Sequence, residues 1–128
     1  MGYRLGQKAE EFFESFLTEN KIEFTKCDEW YDYEIGNHKI EVKSCKPAVR
    51  NEKGGMRIGR FDFTSEDNRE QQYNANCWVC FIIRHFDQHI IYGFCRAQLL
   101  NKKRYISIPQ ARLLDLIYPD EWLEMIKC

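Results

Sequence analysis

Asp32-Tyr33-Glu34-Ile35-Gly36-Asn37-His38-Lys39-Ile40-Glu41-Val42-Lys43-Ser44 is the stretch that decides the fold. Gly36-Asn37 divides two runs in which polar and apolar residues alternate, a signal for a two-residue hairpin loop. With the loop closed there, Ile35 faces His38, Glu34 faces Lys39, Tyr33 faces Ile40 and Asp32 faces Glu41. Alternation then puts Asp32, Glu34, Lys39, Glu41 and Lys43 on one face, with Tyr31, Tyr33, Ile35, Ile40 and Val42 on the other. Directly opposed residues lie about 5 Å apart at Cβ, and like charges so placed repel. Asp32 and Glu41 therefore invite a hard divalent cation, which takes oxygen ligands, and Lys43 adds an ammonium group two residues along. Taken alone, the same pattern also suits a solvent-facing hairpin with Glu34–Lys39 and Glu41–Lys43 charge neighbours.

Upstream, Leu5, Ala9, Phe12, Phe13, Phe16 and Leu17 follow one helical face, so residues 5–19 are expected to form an amphipathic helix. Glu10 lies at the edge of that face. If the helix packs on the hairpin, Glu10 reaches in towards Asp32 and Glu41, with Gly6 one turn earlier leaving room for a close backbone approach. Strands are expected at residues 23–27, 30–35 and 39–44. Residues 46–59 hold Pro47, Gly54, Gly55 and Gly59 among charges and read as a mobile loop. A short strand at 60–64 follows, then a helix capped by Ser65 and running to about Tyr73, with Glu66 and Asp67 in its first turn. Residues 76–85 and 89–96 read as a buried strand pair, Pro109 opens a helix to Ile117, and Pro119 opens a last one. The order α-β-β-β-α-β-β-α describes one α/β domain over residues 1–128, a central mixed β-sheet flanked by helices.

Composition narrows the classes. Hydrophobic residues make up 44% and aromatics 15% of 128, which fits a folded globule and not a disordered chain. No apolar run approaches the roughly 20 residues needed to span a bilayer, and the first residues turn charged at once, so no membrane and a cytoplasmic, intracellular location are expected. Six cysteines could in principle pair, but a reducing compartment favours free thiols. The Cys77-Trp78-Val79-Cys80 motif lies in an apparent strand that would point its thiols to opposite faces, and there is no second ligand pair, so no zinc is expected. The net charge of −1 hides a segment, residues 35–60, in which Lys39, Lys43, Lys46, Arg50, Lys53, Arg57 and Arg60 face only Glu41 and Glu52. Such an excess suits a polyanion, since phosphate contacts supply most sequence-independent affinity; a solvated loop carries such charges equally well.

Asp32, followed by Glu41-Val42-Lys43 on the next strand, resembles the D…(D/E)xK signature of the PD-(D/E)xK, restriction-endonuclease-like nuclease superfamily. Gly6-Gln7-Lys8-Ala9-Glu10 resembles the GxxxE helix of its archaeal Holliday-junction-resolvase-like branch, and Ile40-Glu41-Val42-Lys43-Ser44 is similar to that branch's core strand. Gly59-Arg60-Phe61 and Asn68-Arg69-Glu70-Gln71 look loosely like its post-core segment. The likeness covers residues 5 to about 84, and Tyr31 stands where the family usually has a proline. It implies a restriction-endonuclease-like core and Mg²⁺- or Mn²⁺-dependent hydrolysis of DNA phosphodiester bonds, as an endonuclease, with junction resolution as one form. Asp32, Glu41, the Val42 carbonyl and Glu10 would hold the metal. Lys43 would position the attacking water and stabilise the transition state. Lys46, Arg50, Lys53 and Arg57 as a group, with Arg60, Arg69 and Gln71, are candidates for nucleic-acid contacts. Cutting both strands of a duplex asks for two sites, so a homodimer is expected. The apolar C-terminal residues (Leu113, Leu114, Leu116, Ile117, Trp122, Leu123, Met125, Ile126) offer an interface, although covering the core explains them as well. The alternative reading is a non-catalytic nucleic-acid-binding or assembly module that retains the nuclease fold; an RNA nuclease is a third.

Overall fold

The computed structural model of the chain describes residues 2–127, with side chains from Gly6 onward; Cys128 and the Leu5 side chain lie outside the described residues. The first helix, α1, spans Gly2–Glu19. Ala9, Phe13 and Leu17, four residues apart, are the part of its face that is fully buried, while Phe12 and Phe16 pack at the border. Asn20 closes the helix by donating its side-chain amide to the Phe16 carbonyl at 2.8 Å.

The hairpin forms in the register the sequence dictates. Strand β2 (Tyr33–Ile35) pairs antiparallel with β3 (His38–Cys45), matching Tyr33 with Ile40, Glu34 with Lys39 and Ile35 with His38 across Gly36-Asn37, where Gly36 takes φ +56°. A two-residue strand, β1 (Thr25–Lys26), edges β2. The expected strands over 23–27 and 30–35 are thus shorter, because the chain turns through Trp30–Asp32 before it can pair. Beyond a helix, α2 (Glu66–Ala75), strand β7 (Trp78–His85) lies parallel to β3, with Glu41 beside Val79 and Lys43 beside Phe81. Strand β8 (Gln88–Arg96) returns antiparallel to complete a five-stranded mixed sheet in the order β1-β2-β3-β7-β8.

Each face of the sheet has its own core. Tyr33, Ile35, Ile40, Trp78, Cys80, Ile82 and Phe94 pack under α1 and the last helix, α4 (Pro119–Lys127), whose Trp122 stacks on Phe94 at 4.0 Å. Cys77, Val79, Phe81 and Cys95 face the other way, against Phe61, Phe63, Leu100 and Ile106. Cys77 and Cys80 therefore point to opposite faces. Burial pushes the Cys77 and Cys95 thiols up to about 12, which leaves them protonated and inert.

Three expectations need correction. Residues 46–59 are not an unstructured loop but a hairpin of β4 (Ala48–Arg50) and β5 (Met56–Ile58). Its turn is held by Asn51, whose side-chain oxygen accepts from the Lys53 and Gly55 amides at 3.0 Å each, with Gly54 at φ +82°. The helix expected over 109–117 stops early, as α3 (Ile108–Leu113), because Phe94 and Ile117 exchange two 2.8 Å backbone hydrogen bonds and pull the chain onto the edge of β8. Strand β6 (Arg60–Asp62) forms as expected within 60–64, but its partner β9 (Tyr105–Ser107), a strand the sequence did not suggest, supplies part of the second core.

Candidate active site

Asp32 sits one residue before β2, off the regular ladder. Its amide donates to the Ile40 carbonyl at 2.9 Å and its carbonyl accepts from the Cys27 amide at 2.8 Å, so its backbone is held from both sides. The side chain then folds over β3, and Oδ2 accepts the Val42 amide at 2.7 Å, a charge-assisted bond. The direct cross-strand pairing of Asp32 with Glu41 is thus replaced by a tighter arrangement. Asp32 nonetheless remains an acidic neighbour of Glu41 and raises its carboxyl.

Glu41 is 7% exposed, one of two buried polar residues among those described. Burial, and then the neighbouring Asp32, push it well above the usual carboxylate range; Lys43 and Gln72 oppose the shift. The Lys43 ammonium lies 4.0 Å from Glu41 Oε2 and 5.0 Å from the centre of the Phe63 ring, which roofs it. Gln72, the other buried polar residue, was missed in the sequence. Its Nε2 donates to Glu41 Oε2 at 2.6 Å and to the Trp30 carbonyl at 2.8 Å, using both amide protons. Gln71, singled out in its place, is exposed; two adjacent glutamines differ only by their 100° rotation about α2, and a helix with almost no apolar face gives no phase to choose by.

Glu10 comes to the site from the opposite side. Alternation along β3 sends Glu41 and Lys43 to the face beneath α2, whereas α1 covers the other face. Glu10 meets Asp32, not Glu41: burial and then Asp32 raise its carboxyl above the ordinary value, with Lys26 opposing. Tyr33 fixes this helix through its one hydroxyl proton, shared between Glu14 Oε2 at 2.6 Å and, more weakly, the Glu10 carbonyl at 3.3 Å. Gly6, expected to permit a close approach, faces open space: a Cβ there would meet nothing within 4 Å. A cleft of about 670 Å³ lined by Glu10, Lys26, Asp28 and Asp32 opens on this side. A narrow one of about 80 Å³ lined by Glu41, Lys43, Asn68, Arg69 and Gln72 opens on the other. Asp32 lines the larger cleft, Glu41 and Lys43 the narrow one. Among the described residues no three His, Cys, Asp or Glu side chains converge to hold a metal ion by themselves.

The basic candidates divide. Lys46, Arg50 and Lys53 are exposed, and half-buried Arg57 donates to the Ile58 carbonyl at 3.2 Å. Arg60 is engaged by its own neighbours at the surface, 3.1 Å from Asp62 and stacked 4.3 Å over Tyr105. Arg69 gives a donor to the Phe63 carbonyl, which places it on the wall of the narrow cleft.

No protein-family model, curated protein or solved structure gives a significant match to this chain.

Proposed function

We propose that the chain is a metal-dependent nuclease of the restriction-endonuclease-like kind, hydrolysing DNA phosphodiester bonds at Asp32, Glu41 and Lys43. The observation that carries this reading is the buried Glu41 held against Asp32. Two neighbouring carboxylates, one of them buried, repel unless a proton or a cation intervenes, and the ammonium of Lys43 is 4.0 Å from Glu41. Such an oxygen pair fits Mg²⁺ or Mn²⁺, which is commonly bound through one or two carboxylates with water and substrate phosphate completing the shell, so no three-carboxylate cage is required. The order of elements also supports the reading: a helix, an antiparallel meander carrying the acids, a crossover helix, and a strand parallel to the central one.

Asp32 and Glu41 would hold the cation, with the Val42 carbonyl and Glu10 as further ligands, Glu10 from the Asp32 side. A divalent cation held there would supply a lowered pKa for a bound water and neutralisation of charge on phosphoryl oxygens. Lys43, fixed by the Phe63 ring, presents its protons to the attacking water and to the charge that builds in the transition state. Gln72 keeps Glu41 from turning away by holding one of its oxygens. The resemblance implies an in-line displacement that would leave a 5′-phosphate.

The test is nicking of supercoiled plasmid with Mg²⁺ or Mn²⁺ by the wild type, Glu41→Ala and Lys43→Ala. Metal-dependent nicking lost in both variants supports the proposal. DNA binding with no cleavage by the wild type would mark a binding module, and cleavage confined to matched RNA would move the substrate class.

A further inference from the structure

Beyond the carboxylates, strand β3 runs on into a groove of about 620 Å³ between the β4–β5 hairpin and the β7–β8 turn, lined by Lys46, Met56, Arg84, His85, Phe86 and Asp87 among others. Phe86 is 80% exposed at the tip of that turn and adopts φ +57°, a region that a bulky side chain rarely takes. Arg84 locks the turn by donating Nε to the Phe86 carbonyl at 2.8 Å, and the His85 ring meets Phe86 edge-on at 4.5 Å. Met56 is 64% exposed opposite. The positive φ belongs to the two-residue β7–β8 loop, whose turn asks for it; the exposed ring is what packing leaves unexplained.

The charge around the groove says what would cover it. The lining sets Lys46 and Arg84 against Asp87, and the adjoining hairpin adds Arg50, Lys53 and Arg57 against Glu52. Lys46 follows Lys43 by three residues, about 10 Å of extended chain. Cations beside a bare aromatic face fit a backbone of phosphates whose bases are free to stack. Paired bases have their faces occupied, so Phe86 selects an unpaired strand.

We propose that this groove binds a single-stranded segment of DNA, with Phe86 as a stacking platform and Lys46 and Arg84 at its phosphates. The substrate of the nuclease would then be DNA with an unpaired segment next to the scissile bond; this rests on the reading in the preceding subsection. Fluorescence anisotropy in EDTA, where metal-dependent cleavage is blocked, tests the groove separately, using a labelled single strand and the blunt duplex of the same sequence. The single strand is expected to bind more tightly. Phe86→Ala should weaken it about tenfold and leave the duplex unchanged, while Phe86→Trp retains affinity. Lys46→Ala should weaken both and lower the salt slope by about one. Because Phe86 is exposed, the variant should melt with the wild type; Phe86→Gly, which the positive φ suits, repeats the measurement if it does not. Wild-type affinity in both variants overturns the proposal, as does sedimentation showing a homodimer that Phe86→Ala dissociates. Phe86-dependent binding without Mg²⁺-dependent cleavage would keep the groove and remove the nuclease. Cleavage of tailed DNA unaffected by Phe86→Ala would do the reverse.

Discussion

At the residue scale, Glu41 concentrates the chemistry. A buried carboxyl whose folded-state pKa is raised binds its proton more tightly than it does in the unfolded chain. Stability is therefore greatest below the ordinary carboxylate value and is lost as pH rises through the raised one. Glu41→Gln should abolish that loss: in EDTA the variant's Tm should exceed the wild type's by a few degrees at neutral pH and converge with it in acid, as read by calorimetry across pH. The same substitution should lower cleavage by about 10³-fold, and Lys43→Met by about 10²-fold or more, in single-turnover assays. Gln72→Ala strips a donor from both Glu41 and the Trp30 carbonyl. It should cost about 1–3 kcal/mol in urea unfolding and weaken cleavage without removing it. The placement of Glu41 and Lys43 on one face of β3 was legible because a tight turn fixes register locally, whereas Asp32 lies off the ladder. Gln72 was not, because its role depends on which flank of α2 the sheet happens to meet.

At the element scale, two glycines behave oppositely. A Cβ on Gly59 would stand 1.6 Å from the Lys46 carbonyl oxygen, where the two ends of the β4–β5 hairpin cross. Gly59→Ala should therefore displace the hairpin and raise amide exchange through residues 46–59. Gly6 has open space beside it within α1, so Gly6→Ala should stabilise the protein by about 0.5–1 kcal/mol in urea melts. The contrast shows where sequence reading ends. The β2–β3 hairpin follows from Gly36-Asn37 and its flanking alternation, and α1 from its apolar spacing. The β4–β5 hairpin was hidden because a side chain, Asn51, makes its turn, and because Pro and Gly usually mark loose loops. Pairing of β6 with β9, and of Phe94 with Ile117, joins distant segments of the chain that carry no local pattern for each other.

At the scale of the whole molecule, the C-terminal third proves structural. Trp122, Leu123 and Ile126 close the core over β8 and α1, while Leu113 and Met125 remain exposed at 86% and 42%. The helix thus spends its apolar face on its own domain, which leaves less of it for a second copy than its sequence suggests. Trp122→Ala should cost about 3–5 kcal/mol, enough to unfold much of the population at modest urea. No described helix is long and apolar enough to cross a membrane. Sheet and crossover helix together set a buried carboxyl, Glu41, between an acidic neighbour, Asp32, and the Lys43 ammonium. The most direct measurement is a crystal soaked in Mn²⁺ and recorded for anomalous scattering. The account predicts a peak between the Asp32 and Glu41 carboxylates that Glu41→Gln abolishes. A saturating soak with an accessible site, no peak there, and two carboxyl groups sharing only a proton would contradict it.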